Sequence, residues 1–253
     1  DDLWEDRGQW DDEGVLLHLA AGRNDVPLVE LLLTHGASIN ARSLDGRTPL
    51  HIAAHHGHAP TATLLLQKGA HVDEKASNCL TPLHLAARQG NDVVCKVLLA
   101  RGADVRAAVR SNSRLRGTTP LHLAIESDNA ELVSLLLSSG ADVNQAGQFG
   151  ASPLQFAVER ERADVDAVQL LLRRGADPNA ECSHGRTPLF SAALANRLDL
   201  AAALIQAGAR LTTRDSGGET VLSAVCVHDM PEMATLLLES GADPNDRAPV
   251  VDS

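Results

Sequence analysis

Short apolar clusters alternate with polar, turn-rich stretches along the whole chain, and one such block shows what they predict. Thr48 can cap a helix by accepting a hydrogen bond from an early backbone N–H group, and Pro49 suits the first helical position because it needs no donor there. The apolar run that follows predicts a short helix that ends at Gly57, and a leucine triplet predicts a second helix from about Pro60 to Lys68. The polar residues 70–80 predict an extended finger that joins one helix pair to the next.

The same unit recurs seven times along the chain. Its mark is the phrase Thr-Pro-Leu-His, which is complete in three copies and degraded in four. The copies begin at Val15, Thr48, Thr81, Thr119, Ser152, Thr187 and Thr220, with successive steps of 33, 33, 38, 33, 35 and 33 residues. A nearly fixed period of this length predicts a solenoid, in which each unit buries its faces against its neighbours.

Two runs within the second copy resemble the ankyrin-repeat family almost position by position, namely Asp45–Ala54 and Leu64–Ala70. The resemblance covers about residues 15–245 and leaves an acidic leader at 1–14 and a tail at 246–253. It implies an all-α solenoid of stacked antiparallel helix pairs with projecting β-hairpin-like fingers. It also implies binding through a concave surface made by the finger tips and the first helices, although the fold itself names no partner.

Composition and charge exclude several classes of protein. The formal net charge of −11 argues against general nucleic-acid binding, because a phosphate-binding surface is basic. In the leader, seven acids oppose Arg7 alone. The four cysteines are widely separated, which favours free thiols in a reducing compartment. No apolar run approaches a membrane span, so we expect a cytoplasmic or nuclear protein, and a first residue other than Met leads us to expect a piece of a longer chain.

Histidines are the main candidates for metal binding or catalysis. In the family that the chain resembles, the histidine of the recurring phrase has a hydrogen-bonding role, so His51 is interpreted as structural. His55 and His56 are adjacent on a helix and diverge too far to chelate one metal ion. The chain contains no nucleophile-elbow, phosphate-loop or zinc-protease motif, and a thin repeat stack offers no deep pocket in which a pKa could be tuned. We therefore expect no enzymatic activity, no metal and no cofactor.

Two steps between copies are longer than 33 residues. The step of 38 adds five residues to the finger at 106–118, which contains four arginines and no acid. This finger is either a tolerated surface loop, since lengthening a loop costs little, or an arginine-rich arm that pairs with an acidic partner. The step of 35 adds two residues near Glu159–Asp164, where charges of alternating sign favour a self-paired, solvated extension.

The candidate binding residues lie at finger tips and at the ends of first helices. Leu44, Leu80, Leu115 and Phe149 are apolar where solvent should favour polar side chains, and a row of such residues would mark a binding strip. Arginine and aromatic anchors are common in binding hot spots. The candidate set is Leu44, Arg47, His55, His56, Leu80, Arg88, Gln89, Arg110, Arg114, Arg116, Glu126, Phe149 and Arg160.

Together these patterns favour a non-catalytic protein–protein interaction module, a scaffold or adaptor that binds a peptide or another protein. An acidic partner would suit the arginines, whereas nucleic acid and membrane insertion are not expected. One alternative is a regulatory ankyrin domain of a larger enzyme, channel or trafficking protein. Others are the substrate-recognition arm of a ubiquitin-ligase adaptor and a spacer without a specific ligand. The oligomeric state is left open.

Both tryptophans of the chain, Trp4 and Trp10, lie in the acidic leader. In one interpretation they pack on the exposed side of the first copy as a substitute cap. In the other, the leader is an acidic and aromatic motif that occupies the arginine-rich finger.

The cysteines test the assignment of fingers and helices. Cys79 and Cys182 are assigned to fingers, whereas Cys95 and Cys226 are assigned to helices. The sequence therefore predicts that the first two react faster with a thiol reagent than the last two.

Overall fold

The structure is a computed structural model, and it describes residues 15–110, 115–160 and 163–245. The chain divides into two compact units, Asp1–Ala141 and Asp142–Ser253. The expectations for the leader, the tail, Arg114 and the two residues after Arg160 fall outside the described residues.

Within residues 15–110 and 115–141, four helix pairs build the first unit. The first helix of each copy packs against the first helices of its neighbours, and the second helices pack in the same way. The helices α1–α8 span Val15–Gly22, Val26–Thr34, Pro49–His55, Ala59–Gln67, Pro82–Arg88, Asp92–Ala100, Pro120–Glu126 and Ala130–Ser138.

In the part of the second unit that the structure describes, 142–160 and 163–245, three helix pairs of the same kind follow a short 3₁₀ turn at Gln148–Gly150. The helices α9–α14 span Pro153–Glu159, Val165–Arg173, Pro188–Leu194, Leu198–Gln206, Val221–Val227 and Pro231–Glu239. The all-α class is confirmed. Within the described ranges, the sole β-bridge outside strands joins Arg214 to Thr220.

Each copy of the complete phrase begins its first helix with the same hydrogen-bonded cap. Thr48 donates its backbone N–H to Nδ1 of His51 at 3.1 Å, and Nε2 of His51 lies 3.1 Å from the carbonyl oxygen of Leu80 in the next finger. The imidazole therefore accepts at Nδ1 and donates at Nε2, which is possible only in its neutral form. Burial lowers the pKa of His51 to about 4. One histidine thus ties a helix start to the next copy.

The core between neighbouring copies is mainly aliphatic. Leu50, Leu83 and Leu121 occupy one position in three successive copies and are at most 1% exposed. Small residues beside them, such as Ala53 and Ala86, are fully buried and allow the helices to approach closely. The repeating phrase is therefore dictated by packing and capping.

Each finger ends in a hairpin-like turn. The turn that precedes Thr48 is closed by the backbone bond from Ser43 N–H to the oxygen of Arg47 at 2.9 Å, and the turn that precedes Thr81 by the bond from Ala76 N–H to the oxygen of Leu80 at 2.9 Å. Two residues before the caps of α3, α5, α7, α9, α11 and α13 the backbone is left-handed, a conformation that suits glycine, as at Gly46 with φ of 73°.

Cys79 occupies this left-handed position in the turn that precedes Thr81, with φ of 64°. A side chain with a Cβ atom pays about 1–2 kcal/mol for that conformation. We expect Cys79→Gly to raise the melting temperature by about 2–4 °C, the shift that about 1 kcal/mol produces in a chain of this size. Cys79→Ser is the matched control, since it also removes the thiol but keeps the strain. Thermal unfolding that is equal for the two variants would contradict this account of the turn.

Candidate partner-binding surface

The ends of the first helices place different side chains at equivalent positions of the first unit. His55, Arg88 and Glu126 are the last residues of α3, α5 and α7, and we call these three residues the helix-end row. Nε of Arg88 lies 4.0 Å from Oε2 of Glu126, with side chains 36% and 45% exposed. An exposed pair at this distance contributes little to stability. Both groups are therefore able to exchange their present contact for a partner.

Arg47 lies close enough to the row to influence its charges, but its side chain is paired with Asp45 in its own turn. Its Nε lies 2.9 Å from Oδ2 of Asp45, and its side chain is only 12% exposed. Burial lowers the pKa of Arg47, Asp45 opposes that shift, and the nearby charge of Arg88 adds to it. The structure thus brings Arg47 and Arg88 close enough to influence each other.

The two adjacent histidines have different environments. Burial first, and then neighbouring cations including Arg47 and Arg88, lower the pKa of His55 to about 3. His55 is therefore neutral near pH 7 and adds no positive charge to the row. His56 is exposed, and its ring stacks on that of His58 with centroids 5.6 Å apart. His58 is itself engaged, because its Nε2 lies 3.0 Å from the oxygen of Gly22.

The predicted apolar strip at the finger tips is partly wrong. Leu44 is 52% exposed as expected, but Leu80 is only 2% exposed and belongs to the core. Leu80 directly precedes a helix cap. Its carbonyl oxygen accepts hydrogen bonds from the backbone N–H of Ala76 and from the ring of His51, so its backbone lies against the preceding helix pair. Leu115 is half-buried. Leu80 is thus unavailable as a contact for a partner.

Backbone hydrogen bonds join the two sides of the long finger. Val109 N–H donates to the oxygen of Thr118 at 3.0 Å, and Gly117 N–H donates to the oxygen of Val109 at 2.8 Å. Arg110 and Arg116 are exposed there. Arg106 has a structural contact instead, because its Nε donates to the oxygen of Gly140 at 2.8 Å.

Two candidate residues, Phe149 and Arg160, belong to the second unit. Phe149 is 65% exposed and has a left-handed backbone with φ of 52°, which is costly for a bulky residue. Its carbonyl oxygen accepts hydrogen bonds from the backbone N–H of Ser183, at 2.7 Å, and from the Ser183 hydroxyl, so the next finger fixes this conformation. Arg160 is half-buried directly after α9. The sequence indicated that Phe149 is exposed, but not that its backbone is strained.

The extension near Glu159 makes different contacts from those predicted. Oε1 of Glu159 accepts from the Gln155 amide and from the hydroxyl of Ser191, the latter at 3.1 Å. This carboxylate is therefore engaged with its own helix and with α11. The self-paired extension stays a prediction for the two residues that follow Arg160.

Thiol exposure differs from the sequence expectation at Cys226. This residue lies in α13 but is exposed, whereas Cys79 and Cys182 are half-buried and Cys95 is buried. Burial, with a smaller contribution from Asp92, also raises the pKa of the Cys95 thiol to about 12. Because the thiolate is the reactive form, we expect Cys226 to react first and Cys95 last. Mass-mapped labelling with a maleimide checks this order, and protection of Cys226 equal to that of Cys95 would contradict it.

Two searches of the described residues concern metals and membranes. No group of three or more histidine, cysteine or acidic side chains within 15–110, 115–160 and 163–245 could hold a metal ion. In the same ranges, no helix is both long and apolar enough to cross a bilayer.

Comparison with known proteins agrees with the repeating geometry. The family model described as ankyrin repeats (3 copies) matches residues 17–109, 74–147, 106–182 and 154–248. The crystal structure of the human ASB11 ankyrin repeat domain is similar, with a TM-score of 0.74 and 27% sequence identity, and the alignment covers 90% of this chain and 98% of that one. A comparison with curated proteins gives no match.

Proposed function

We propose that this chain, which belongs to the ankyrin-repeat family, is a non-catalytic module that binds an acidic peptide or protein segment on its first unit. The contact would run along the helix-end row and onto the exposed arginines of the long finger. Ankyrin repeats are protein–protein interaction modules, and this proposal adds the surface and the charge of the partner.

The main support for the proposal is a contrast in residue identity between two kinds of equivalent position in successive copies, those in the core and those of the helix-end row. Leu50 and its equivalents Leu83 and Leu121 are identical and buried, because packing requires the same shape in each copy. The helix-end row has three different residues at one position, where His55 and Arg88 are half-buried and Glu126 is exposed, so packing does not require the same side chain in each copy. Such positions are available for recognition without loss of stability.

Charge favours an acidic segment over a basic one. Arg88 is half-buried and lies 4.0 Å from the carboxylate of Glu126, and Arg110 and Arg116 are exposed on a finger that contains no acid. Guanidinium groups bind carboxylates through two parallel hydrogen bonds, which gives specificity as well as attraction. A local positive field on a chain of net charge −11 would also speed the approach of an acidic partner.

The test begins with a peptide-display selection on the full chain, which should enrich sequences rich in Asp and Glu. Arg88→Ala combined with Arg110→Ser and Arg116→Ser should weaken the selected peptides at least about tenfold, because one hot-spot side chain contributes about 2 kcal/mol. The loss should be larger at low salt. The matched control removes three other exposed arginines, Arg101, Arg173 and Arg174.

Equal weakening by both triple variants would show that only net charge matters and would overturn the proposed surface. Unchanged affinity in the Arg88 triple variant would overturn it as well. A regulatory domain and a ubiquitin-ligase adaptor would differ in the role of the parent protein but would use the same kind of surface. The binding of their partners would therefore be tested with the same two triple variants.

A further inference from the structure

Two finger turns of the second unit bring together three planar side chains, Phe149, His184 and Arg186, and we call these three residues the tip cluster. Phe149 and His184 have equivalent positions, three residues before the caps of α9 and α11. The centroids of their rings are 6.3 Å apart, and the rings are tilted by 53°. Arg186 directly precedes the cap of α11. The cluster shares no residue with the helix-end row.

The backbone of Phe149 is held in a costly conformation while its side chain faces solvent. Its φ is 52° and its side chain is 65% exposed. Asp45 and His184, at the same position of other turns, are not left-handed. The backbone N–H of Ser183 donates to the carbonyl oxygen of Phe149 at 2.7 Å, and this bond fixes the turn. An exposed ring gains little from packing, so strain at this position points to a role in recognition.

The environment of Arg186 differs from that of its equivalent in the first unit, Arg47. There the residue two positions earlier is Asp45, whose Oδ2 lies 2.9 Å from Nε of Arg47, and the arginine side chain is only 12% exposed. In the second unit His184 replaces that acid, and the side chain of Arg186 is 44% exposed. Its Nε is buried and has no hydrogen-bond partner among the residues that the structure describes. The charge of Arg186 is therefore not matched within its own turn.

An acid of the next finger lies opposite Arg186 but does not reach it. Oδ2 of Asp215 is 3.8 Å from Nε of Arg186, which is too long for a hydrogen bond. Asp215 is fixed by its own turn, because its Oδ1 accepts from the backbone N–H groups of Gly217 at 2.9 Å and Glu219 at 3.1 Å. On another side, Cζ of Arg186 lies 5.5 Å from the ring centroid of Phe190. None of these contacts is a hydrogen bond from the guanidinium group, so its donors remain available to an incoming carboxylate.

We propose that the tip cluster binds a peptide segment in which an acidic residue is adjacent to an aromatic or large aliphatic residue. The carboxylate binds Arg186, and the apolar side chain packs against the rings of Phe149 and His184. Guanidinium groups match carboxylates in shape and charge, and phenylalanine and arginine are enriched in the cores of protein interfaces. This contact is additional to the one proposed for the first unit and does not depend on it.

The test starts from the full chain with Arg88→Ala, Arg110→Ser and Arg116→Ser, which removes the arginines of the surface proposed for the first unit. A random-peptide display library selected on this triple variant should enrich peptides in which Asp or Glu is adjacent to Phe, Trp, Tyr, Leu or Ile. Because the first-unit arginines are absent, failure of this selection is distinguishable from failure of the first-unit proposal.

The selected peptides are then measured by fluorescence anisotropy on the same background. Adding Phe149→Ala or Arg186→Gln should weaken them at least about tenfold, as expected for a hot-spot side chain. Leu198→Ala and Arg210→Gln are the matched controls, because both residues belong to the second unit and are exposed, and neither should change the affinity. If circular dichroism shows that Arg186→Gln is unfolded, Arg186→Lys should show the loss instead, since lysine keeps the charge but lacks the planar fork.

Phe149→Gly separates recognition from folding. Glycine adopts the left-handed backbone without strain, so this variant should melt no lower than the parent chain and should still lose the peptide. Retention of the peptide by Phe149→Gly, or equal losses in the cluster variants and their controls, would overturn the proposal. A selection that enriches nothing, or that enriches basic or purely apolar peptides, would overturn it too, because the cluster would then not recognise a carboxylate.

Discussion

Replacement of His84 by alanine is expected to lower the free energy of unfolding by about 3–4 kcal/mol. His84 is 0% exposed, its Nδ1 accepts from the backbone N–H of Thr81 at 3.2 Å, and its Nε2 lies 3.3 Å from the oxygen of Thr118. The substitution removes the bond between two copies and the partner of a helix cap, and it leaves a cavity. Urea unfolding followed by circular dichroism measures the loss.

Two controls separate this effect from general damage. His84→Gln should lose less, because the chain already places a fully buried glutamine, Gln155, at the same position of the fifth copy. His71→Ala should change stability by less than about 0.5 kcal/mol, because the side chain of His71 is 67% exposed. Equal losses in His84→Ala and His71→Ala would contradict the bridging role of the phrase histidine.

Mild acid is expected to destabilise the first unit more than the second. Burial, the largest cause, lowers the pKa of both His51 and His84 to about 4, whereas an unfolded histidine titrates near 6.5. Between these values the unfolded state binds more protons, so the stability present above pH 6.5 falls as the pH approaches 4. The loss is on the order of 2–3 kcal/mol for each of the two histidines.

The second unit serves as the internal control for this prediction. At the equivalent positions it has Gln155, Phe190 and Ser223, none of which titrates in this range, and its described histidines His184 and His228 are exposed. Hydrogen exchange, corrected for the intrinsic pH dependence of the rate, should show α3 and α5 losing protection between about pH 7 and pH 5 while α11 keeps its protection. Parallel loss in α5 and α11 would show that another group controls acid stability.

The helices could be predicted from the sequence because their signals are local. Thr81 and Pro82 specify a helix start through capping and a fixed φ, and the structure begins α5 at Pro82. The burial of residues outside the helices is harder to predict from the sequence. The local pattern predicts that Leu80 lies in a solvated finger. In the structure its backbone lies against the preceding helix pair, and no local pattern indicates this contact.

The sequence indicates roughly where the candidate surface lies, but it does not predict the burial and charge states of the residues on that surface. The sequence indicated Arg47, His55 and Arg88 as surface residues, but Arg47 is largely covered beside Asp45 and burial keeps His55 neutral. Those properties depend on the distance between side chains from different copies. The exposure of Cys226 in α13 likewise depends on what packs against a helix rather than on the helix pattern itself.

The most direct test of the proposed binding surface is hydrogen exchange of the full chain with and without a selected acidic peptide. The account predicts new protection around Arg116 and at the ends of α3, α5 and α7. Protection confined to the second helices α4 and α6, or to the second unit, would contradict it.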